Sequence, residues 1–244
     1  MDEEFALKLA PLLHAMRAYH RHEVHGVDHI LERGPAIIAT NHSLATYDML
    51  LLMFAVFEMT GRMPRSLIDR AFYVFPGLGE LMEKLGCFVG SPENATALLN
   101  NGELIYLAPG GMQESLRPSS ERYKVYWERR KGFARLAIEA GVPVILAACP
   151  RADDIFSVYE SSLTRWVYQH FRLPFFFARG IGPTGIPRPV KLDHYISAPI
   201  YPPKPSEDPA VFKRQVYNFH KKLMTKMSLM LNEGIVPSTE GTMV

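Results

Sequence analysis

The amino-acid sequence predicts a single α/β domain with a mostly parallel, mixed β-sheet flanked by helices. Short apolar segments typical of strands alternate with segments of helical periodicity along much of the chain. Some strand segments, such as Leu104–Ala108, are continuous apolar runs, the pattern of parallel strands buried on both faces. The chain has 244 residues, 48% of them apolar, which is enough for one sizeable core, so we predict one domain over residues 1–244.

The first predicted element is an amphipathic helix within residues 1–22. Apolar side chains recur on one helical face between Phe5 and Tyr19, and we expect Pro11 to interrupt the helix early. Such a helix can pack on the body of the protein or lie on a lipid surface. The apolar positions are Phe5, Leu9, Leu12, Leu13 and Met16.

The strands that follow are predicted from apolar runs bounded by turn residues. They are Val24–Ile30, Ala36–Thr40, a strand followed by a short helix within Arg65–Val74, Cys87–Val89, Leu104–Ala108 and Pro143–Ala148. Helices are predicted from apolar residues at helical spacing, and Gly61 and Gly141 end two of them. These helices are Asp48–Thr60, Leu81–Leu85, Asn94–Asn100, Arg130–Ala140 and Val211–Asn232.

The pattern becomes less regular after Ala148. Residues 180–189 and 199–209 are rich in Gly and Pro, which indicates turns and loops. We expect residues 233–244, after the last predicted helix, to form a disordered tail.

Composition excludes several functional classes. The formal net charge is only +2, which does not suggest a nucleic-acid partner. The two cysteines, Cys87 and Cys149, have no metal-binding or redox spacing, so we expect reduced structural thiols in a cytosolic compartment. The acidic start predicts no secretory signal peptide, and the longest apolar stretch is far shorter than the roughly 20 residues that a membrane-spanning helix needs.

Aromatic and basic residues are mixed between Arg165 and Arg179, and the run Leu173–Phe177 is strongly apolar. This mixture is typical of an anchor in a membrane interface, and it is also compatible with a buried strand or helix face. Both alternatives stay open at this point.

A histidine and an acid follow the second predicted strand, in the segment Asn41–Asp48. The pair lies where a strand ends and a helix begins, the usual place for ligands in open α/β sheets. Histidine can take a proton from an alcohol near neutral pH, and a nearby carboxylate can fix its tautomer. His42 and Asp48 are therefore candidates for half of an acyl-transfer site, although such a pair can also be a simple polar contact.

A second motif follows the apolar run that ends at Ala108. It consists of Pro109, Gly110 and Gly111, with Glu114 shortly after them. Glycines allow backbone N–H groups to approach a ligand closely, which suits an oxyanion or a carbonyl oxygen. Taken alone, a Pro-Gly-Gly segment is more often a plain turn.

The order of these motifs resembles the four sequence blocks of the glycerolipid acyltransferase superfamily. Asn-His and Asp come first, then Gly86–Gly90, then Ala-Pro-Gly-Gly with Glu, and finally Val142–Ile145. The Pro-Gly-Gly form and the segment Lys131–Ala137 are most similar to the diacylglycerol-acyltransferase-like branch. The resemblance covers about residues 24 to 232.

The resemblance implies an acyl-CoA-dependent O-acyltransferase that works by direct attack. In it His42 is the general base, Asp48 holds the imidazole, and backbone N–H groups near Gly110 and Gly111 stabilise the oxyanion. It also implies that acyl-CoA is a co-substrate, that no metal or other cofactor is needed, and that the protein contacts the cytoplasmic face of a membrane peripherally. The substrate-binding residues that it implies are Asn41, Pro109, Gly110, Gly111, Glu114 and Arg117.

Two departures from the superfamily pattern matter. Five residues separate His42 from Asp48, where four are usual. The positions at which phosphate-using members carry arginines hold Gly90 and Ser91, and Met112 and Gln113. We therefore expect an acceptor without a phosphate, unless Arg117, Arg122 or Lys124 substitutes; the same residues could instead bind the phosphates of coenzyme A.

The sequence thus predicts transfer of a fatty acyl group to a hydroxyl of a neutral glycerolipid. Three alternatives remain: a lysophospholipid or lysophosphatidate acyltransferase, a non-catalytic lipid-binding protein of the same fold, and a thioesterase-like hydrolase. A further set of histidines precedes the first motif, and we expect these side chains to be solvated rather than to bind a metal. They are His14, His20, His22, His25 and His29.

Overall fold

The computed structural model describes residues 3–44, 47–73, 76–159, 166, 170 and 177–235. Its centre is a seven-stranded sheet with helices on both faces, so the predicted single α/β domain with a mostly parallel mixed sheet is confirmed. The strands are β1 (Glu23–His25), β2 (Ala36–Thr40), β3 (Arg65–Ile68), β4 (Cys87–Val89), β5 (Leu104–Leu107), β6 (Val144–Ala148), β7 (Ser157–Tyr159), β8 (Phe177–Arg179) and β9 (Asp193–Ile196). The helices are α1 (Glu3–Tyr19), α2 (Tyr47–Thr60), α3 (Leu78–Lys84), α4 (Pro92–Asn100), α5 (Gly111–Ser115), α6 (Gly132–Ala140) and α7 (Pro209–Ile235).

The order of strands in the main sheet is β1-β9-β6-β2-β5-β3-β4. The strands β6, β2, β5, β3 and β4 are parallel to one another. Strand β9 is antiparallel to β6 and parallel to β1, so these two run in the opposite direction. Strands β7 and β8 form a separate antiparallel pair.

Alternate residues of the central strands enter two different cores, because successive side chains of a strand point to opposite faces. Ile37 and Ala39 of β2 pack with α4, α6 and α7, whereas Ala36 and Ile38 pack with α2. Every residue of β2 is buried, which explains its continuous apolar sequence. Helix α1 lies outside α2, where its Leu13 is buried in a third cluster.

This arrangement brings several chain segments to one edge of the sheet. The carboxyl ends of the parallel strands β2, β5 and β6 lie there together. Since β1 and β9 run the other way, their amino ends lie at the same edge, and Val24 is paired with His194. The segments that follow Thr40, Leu107 and Ala148, and those that precede β1 and β9, are therefore neighbours.

The early elements differ from prediction at two points. The strand predicted over Val24–Ile30 is only β1, because Gly26 has a φ of +77° and a short 3₁₀ turn over Val27–His29 follows it. A side chain at Gly26 would meet the carbonyl oxygen of Ile196 at 2.5 Å. Helix α1 continues through Pro11, whose ring is exposed, instead of being interrupted there.

Later elements add to the prediction. The short strands β7, β8 and β9 and the short helix α5 were not predicted. Helix α7 continues to Ile235, three residues into the predicted tail, and residues 236–244 lie outside the described part of the chain. The aromatic run predicted as an interfacial anchor or a buried face also lies almost entirely outside the described residues.

Within the described ranges, no helix is long and apolar enough to cross a membrane.

Candidate active site

His42 lies two residues after the end of β2, following Asn41, and is partly buried. Its Nδ1 lies 2.8 Å from the carbonyl oxygen of Ser43, and since a carbonyl can only accept, Nδ1 carries the proton in this contact. The neutral ring then has its lone pair on Nε2. Burial lowers the pKa of His42 below its ordinary value, against the opposing effects of the Ser43 carbonyl and the Asp48 charge, which favours this neutral form.

Asp48 is buried at the start of α2, close to His42 in space but not in contact with its ring. The described residues show no hydrogen bond between the two side chains. Instead, the Ser43 hydroxyl donates to Asp48 Oδ1, and Ser43 in turn supplies the carbonyl that holds His42. The residue that the sequence predicted as the direct partner of the histidine therefore reaches it through Ser43.

The second oxygen of Asp48 faces a histidine from β9. His194 Nε2 lies 3.7 Å from Asp48 Oδ2, and both side chains are fully buried. Burial raises the pKa of Asp48, but His194 and the Ser43 hydroxyl outweigh it and hold the pKa below its ordinary value. Asp48 is therefore a buried carboxylate.

His194 is linked to the end of α1 through a second histidine. His194 Nδ1 lies 2.9 Å from His22 Nε2, and Arg17 Nε donates to His22 Nδ1 over 3.2 Å. Burial, with His194 and Arg17 close by, lowers the pKa of His22 to about 3, so this ring is neutral.

Asn41 joins the ends of two central strands. Its Nδ2 donates to the carbonyl oxygen of Cys149 over 3.2 Å, and its Oδ1 accepts from the Cys149 N–H over 2.8 Å. These contacts tie the segment after β2 to the segment after β6. They occupy both polar groups of the side chain of Asn41, a residue that the sequence predicted to bind substrate, and they fix the backbone next to His42.

The second motif packs against the first through Glu114. Glu114 is fully buried in α5, accepts a 3.0 Å hydrogen bond from Trp127 Nε1, and lies 3.4 Å from Arg117 Nη1. The backbone N–H of His42 also faces this carboxyl group. Burial outweighs these contacts and raises the pKa of Glu114 to about 8, so the group is largely protonated at neutral pH.

Gly110 and Gly111 differ in their surroundings. A Cβ on Gly110 would lie 1.7 Å from Glu114 Oε2, so only glycine fits there, and Pro109 precedes it in the same loop. Gly111 has a φ of +56° and its N–H donates to the Ala108 carbonyl over 3.1 Å. Of the two predicted oxyanion donors, the N–H of Gly110 is therefore the better candidate.

The basic residues that follow are bound by acids. Arg117 is 5% exposed, and its guanidinium contacts both Glu114 and Asp153. Arg122 lies 3.7 Å from Asp154, and Lys124 lies 3.7 Å from Glu121. Arg117, which the sequence predicted to bind substrate, is thus buried with its charge paired to Asp153.

The site contains residues that sequence reasoning missed. His194, His22, Trp127 and Asp153 all contact a predicted site residue or its partner. His22 was expected to be solvated together with His20, but both are buried, so that expectation is wrong for these two. No spacing in the sequence pointed to His194, which lies far along the chain in an unpredicted strand.

Asp48, Cys149 and His194 form a buried group whose composition resembles a metal site. The hydrogen-bond directions disagree with that role. An arginine Nε–H can only donate, so His22 Nδ1 accepts, His22 Nε2 donates, and His194 Nδ1 accepts. The proton of a neutral His194 then lies on Nε2, the atom that would have to bind the metal. Burial also raises the pKa of the Cys149 thiol well above its ordinary value, which disfavours the thiolate.

A profile of the Acyltransferase family matches residues 21–149 of the chain. A protein of Bos taurus named "DGAT1/2-independent enzyme synthesizing storage lipids" is 36% identical over 188 residues, which cover 76% of this chain and 54% of that protein. The Homo sapiens protein of the same name is 35% identical over 183 residues, covering 75% of this chain and 54% of that protein. The chain thus spans about half the length of these curated relatives.

A solved structure, that of the 1-acyl-sn-glycerophosphate acyltransferase from Thermotoga maritima, shares the fold. The TM-score is 0.54 at 16% sequence identity, and the match covers 93% of this chain and 81% of the other.

Proposed function

This chain belongs to the acyltransferase family, and from that premise we propose that it transfers a fatty acyl group from acyl-CoA to a hydroxyl of a neutral glycerolipid. The observation that carries the proposal is the state of His42. Its Nδ1–H is held by the Ser43 carbonyl and its ring is neutral, so Nε2 is available as a base at the edge of the sheet.

In the proposed reaction, His42 Nε2 takes the proton of the acceptor hydroxyl. The hydroxyl oxygen attacks the thioester carbon of acyl-CoA and forms a tetrahedral oxyanion, which in this proposal the Gly110 N–H stabilises. The carbon–sulfur bond then breaks, and the leaving thiolate of coenzyme A takes the proton from the His42 imidazolium. The ester and free coenzyme A are the products, and the histidine is neutral again.

Asp48 supports this reaction electrostatically. Its negative charge raises the pKa of His42 against the effect of burial, so it stabilises the imidazolium that forms when His42 takes the proton of the attacking hydroxyl. Through the Ser43 hydroxyl it also fixes the carbonyl that orients the ring. Both effects are compatible with the five residues that separate His42 from Asp48, because the Ser43 carbonyl, and not the Asp48 carboxylate, lies next to His42 Nδ1.

The choice of a neutral acceptor rests on charge. Arg117, Arg122 and Lys124 all have acidic partners, and Arg117 is buried. The names of the bovine and human relatives, which refer to the synthesis of storage lipids, support the same choice. A lysophosphatidate acceptor would need a cation for its phosphate, and the best-placed arginine in sequence, Arg117, is buried and paired with Asp153.

The test is release of coenzyme A from a long-chain acyl-CoA, with monoacylglycerol, diacylglycerol and lysophosphatidate offered separately. We expect turnover with the neutral acceptors and a loss of about 100-fold or more in His42→Ala, because the general base is removed. His29→Ala is the matched control, since that ring is also partly buried and bound to a backbone carbonyl, that of Ile196. A preference for lysophosphatidate would replace the acceptor assignment, and turnover without any acceptor would indicate a thioesterase.

One observation favours a second candidate, a non-catalytic lipid-binding protein of the same fold. The His42 ring and the Asp48 carboxylate have no direct contact, unlike the pair that the motif predicted. Lipid binding without acceptor-dependent turnover, in a folded protein, would select this candidate.

We also propose that the protein contacts the cytoplasmic face of a membrane peripherally. Support comes from the mixed aromatic and basic sequence between Arg165 and Arg179, of which Trp166 and Phe177 are described and about half exposed, at 50% and 47%. Sedimentation with lipid vesicles, compared between the wild type and Trp166→Ala, tests this contact.

A further inference from the structure

A continuous row of polar side chains runs through the protein from α1 to His42. It passes from Arg17 to His22, to His194, to Asp48, and through Ser43 to the catalytic ring. Its members come from the end of α1, the segment before β1, strand β9 and the start of α2. The sheet topology brings them together, because the amino ends of β1 and β9 share an edge with the carboxyl end of β2.

At the α1 end of this row, the hydrogen-bond directions follow from Arg17. The Nε of Arg17 carries a proton at all accessible pH values, so His22 Nδ1 accepts and His22 Nε2 donates to His194 Nδ1. His194 Nε2–H then faces Asp48 Oδ2 at 3.7 Å. This distance is longer than a hydrogen bond, and neither of these two buried atoms has a hydrogen-bond partner among the described residues.

At the other end the direction is fixed by the carbonyl of Ser43. That carbonyl accepts from His42 Nδ1 over 2.8 Å, while the hydroxyl of the same residue donates to Asp48 Oδ1. The two directional chains meet at Asp48, which accepts from one side and faces a donor on the other. A carboxylate is the group that suits this place, because it can accept at both oxygens and cannot donate.

We propose that His194 and His22 are positioning residues of the acyl-transfer site. Together with Arg17 they present an N–H to Asp48 and keep it ionised, and Asp48 in turn orients Ser43 and stabilises the His42 imidazolium. The proposal rests on the proposed function, since it assigns these residues to the same reaction.

The physical need for such a donor is the burial of Asp48. A carboxylate with no solvent exposure is costly unless it is paired, and loss of its partner favours the protonated form. A protonated Asp48 would no longer stabilise a positive His42. Other titratable groups near Asp48 are His20 at the end of α1, Tyr106 on β5 and Cys149 after β6.

Two substitutions separate the donor from the shape of the side chain. His194→Leu removes the N–H, whereas His194→Gln keeps a donor for Asp48 and an acceptor for His22. We expect His194→Leu to lower kcat roughly tenfold or more with little change in KM, because the base is misoriented and its charged form is less stable. We also expect the acid limb of the kcat profile to move to lower pH, and His194→Gln to recover much of both properties. His29→Leu, which removes a ring that contacts the Ile196 carbonyl, serves as the control for loss of a histidine.

A measurement without turnover keeps this proposal distinct from the proposed function. Nitrogen-15 NMR of the histidine rings in the wild-type protein reports which nitrogen carries the proton and at what pH each ring titrates. We expect the Nε2–H form for His22 and His194, and a lower titration midpoint of His42 in His194→Leu. If the wild type has no transferase activity but shows these signals, the proposed function fails and the positional assignment survives. Nδ1–H forms at His22 and His194, or a His194→Leu variant with wild-type kcat and an unmoved His42 midpoint, would overturn the proposal.

Discussion

The protonation state of His42 decides whether the ring can act as a base. Burial lowers its pKa below the ordinary value of 6.5 more strongly than the Ser43 carbonyl and the Asp48 charge raise it. The ring is therefore neutral over most of the pH range in which enzymes are assayed. The Ser43 contact leaves the lone pair on Nε2, away from the buried carboxylate.

This state predicts the acid limb of the pH profile. We expect kcat/KM for acyl transfer to fall on the acid side with a midpoint below pH 6.5, because a free base with a lowered pKa stays active at lower pH. The profile is measured by coenzyme A release at saturating acyl-CoA. In Asp48→Asn the midpoint should move lower still, since the charge that raises the pKa is gone. A midpoint at or above 6.5 would contradict the burial of the ring.

At the level of residues, the sequence indicated which residues suit the chemistry but not which side chains contact one another. His42 and Asp48 could be chosen because a base and an acid near a strand end suit acyl transfer. The groups that they contact could not, because Ser43 uses both its hydroxyl and its backbone carbonyl, and His194 lies 172 residues from His22. Contacts across such separations follow from the strand order, which periodicity alone does not contain.

At the level of elements, the loop after β5 and the short helix α5 act as one packed unit. Glu114 folds back so that its carboxyl group lies against Gly110, and Trp127 and Arg117 hold it from the other side. The glycine pair was predicted as a place where the backbone approaches a ligand. In the structure, position 110 needs glycine because the Glu114 side chain occupies the space that a Cβ would take.

The two glycines should therefore respond differently to alanine. In Gly110→Ala the new Cβ would lie 2.5 Å from Glu114 Cβ, and such overpacking typically costs about 1–3 kcal/mol of unfolding free energy. Gly111→Ala meets nothing within 4 Å and adds only the strain of its φ of +56°, about 1 kcal/mol. Urea unfolding of both variants measures the difference.

A double-mutant cycle identifies the cause. In a Glu114→Gly background, Gly110→Ala should cost much less than in the wild type, because both the Cβ and the carboxyl group that the new methyl group meets are absent, whereas Gly111→Ala should cost the same in both. Equal costs of Gly110→Ala in the two backgrounds would mean that Glu114 does not occupy this place.

The central elements were predictable because burial leaves a strong pattern. Strands β2, β5 and β6 were recognised as apolar runs, α2 and α6 from helical spacing and terminal glycines, and α7 from helical spacing alone. The short strands β7 and β8 were not predictable, since each has three residues of mixed exposure. Strand β9 contains Asp193 and His194 and has no apolar run, so its sequence resembles a loop.

At the scale of the whole molecule, the sequence predicted one α/β domain but not the strand order. The reversed direction of β9 and β1 places His194 and His22 at the same edge of the sheet as His42, and nothing in the periodicity of these segments indicates that reversal. The same topology buries several titratable groups around the site. Their shifted pKa values make the stability of the whole protein depend on pH.

The acid side of this dependence comes from buried histidines. Burial lowers the pKa of His20, His22, His42 and His220, so the unfolded chain binds more protons than the folded one below about pH 6.5. These lowered pKa values leave the free energy of unfolding undiminished well above that pH and reduce it progressively as the pH falls, for His22 down to about pH 3. The free energy of unfolding should therefore decrease on acidification.

Glu114 controls how the free energy of unfolding changes from neutral to mildly alkaline pH, and Glu114→Gln tests this role. With a folded pKa of about 8 against 4.5 for an ordinary glutamate, the folded state holds a proton that the unfolded state has lost, so stability decreases as the pH rises between these values. From about pH 7 to about pH 8 the free energy of unfolding of the wild type should fall by about 1 kcal/mol relative to that of the variant. The variant keeps an acceptor for Trp127 and cannot ionise, so its urea-unfolding profile carries only the contributions of the other titrating groups. Glu121→Gln, at an exposed ion pair, should retain the wild-type slope. Equal slopes for the wild type and Glu114→Gln would instead mean that Glu114 is ionised in the folded protein and that Arg117 neutralises both Glu114 and Asp153.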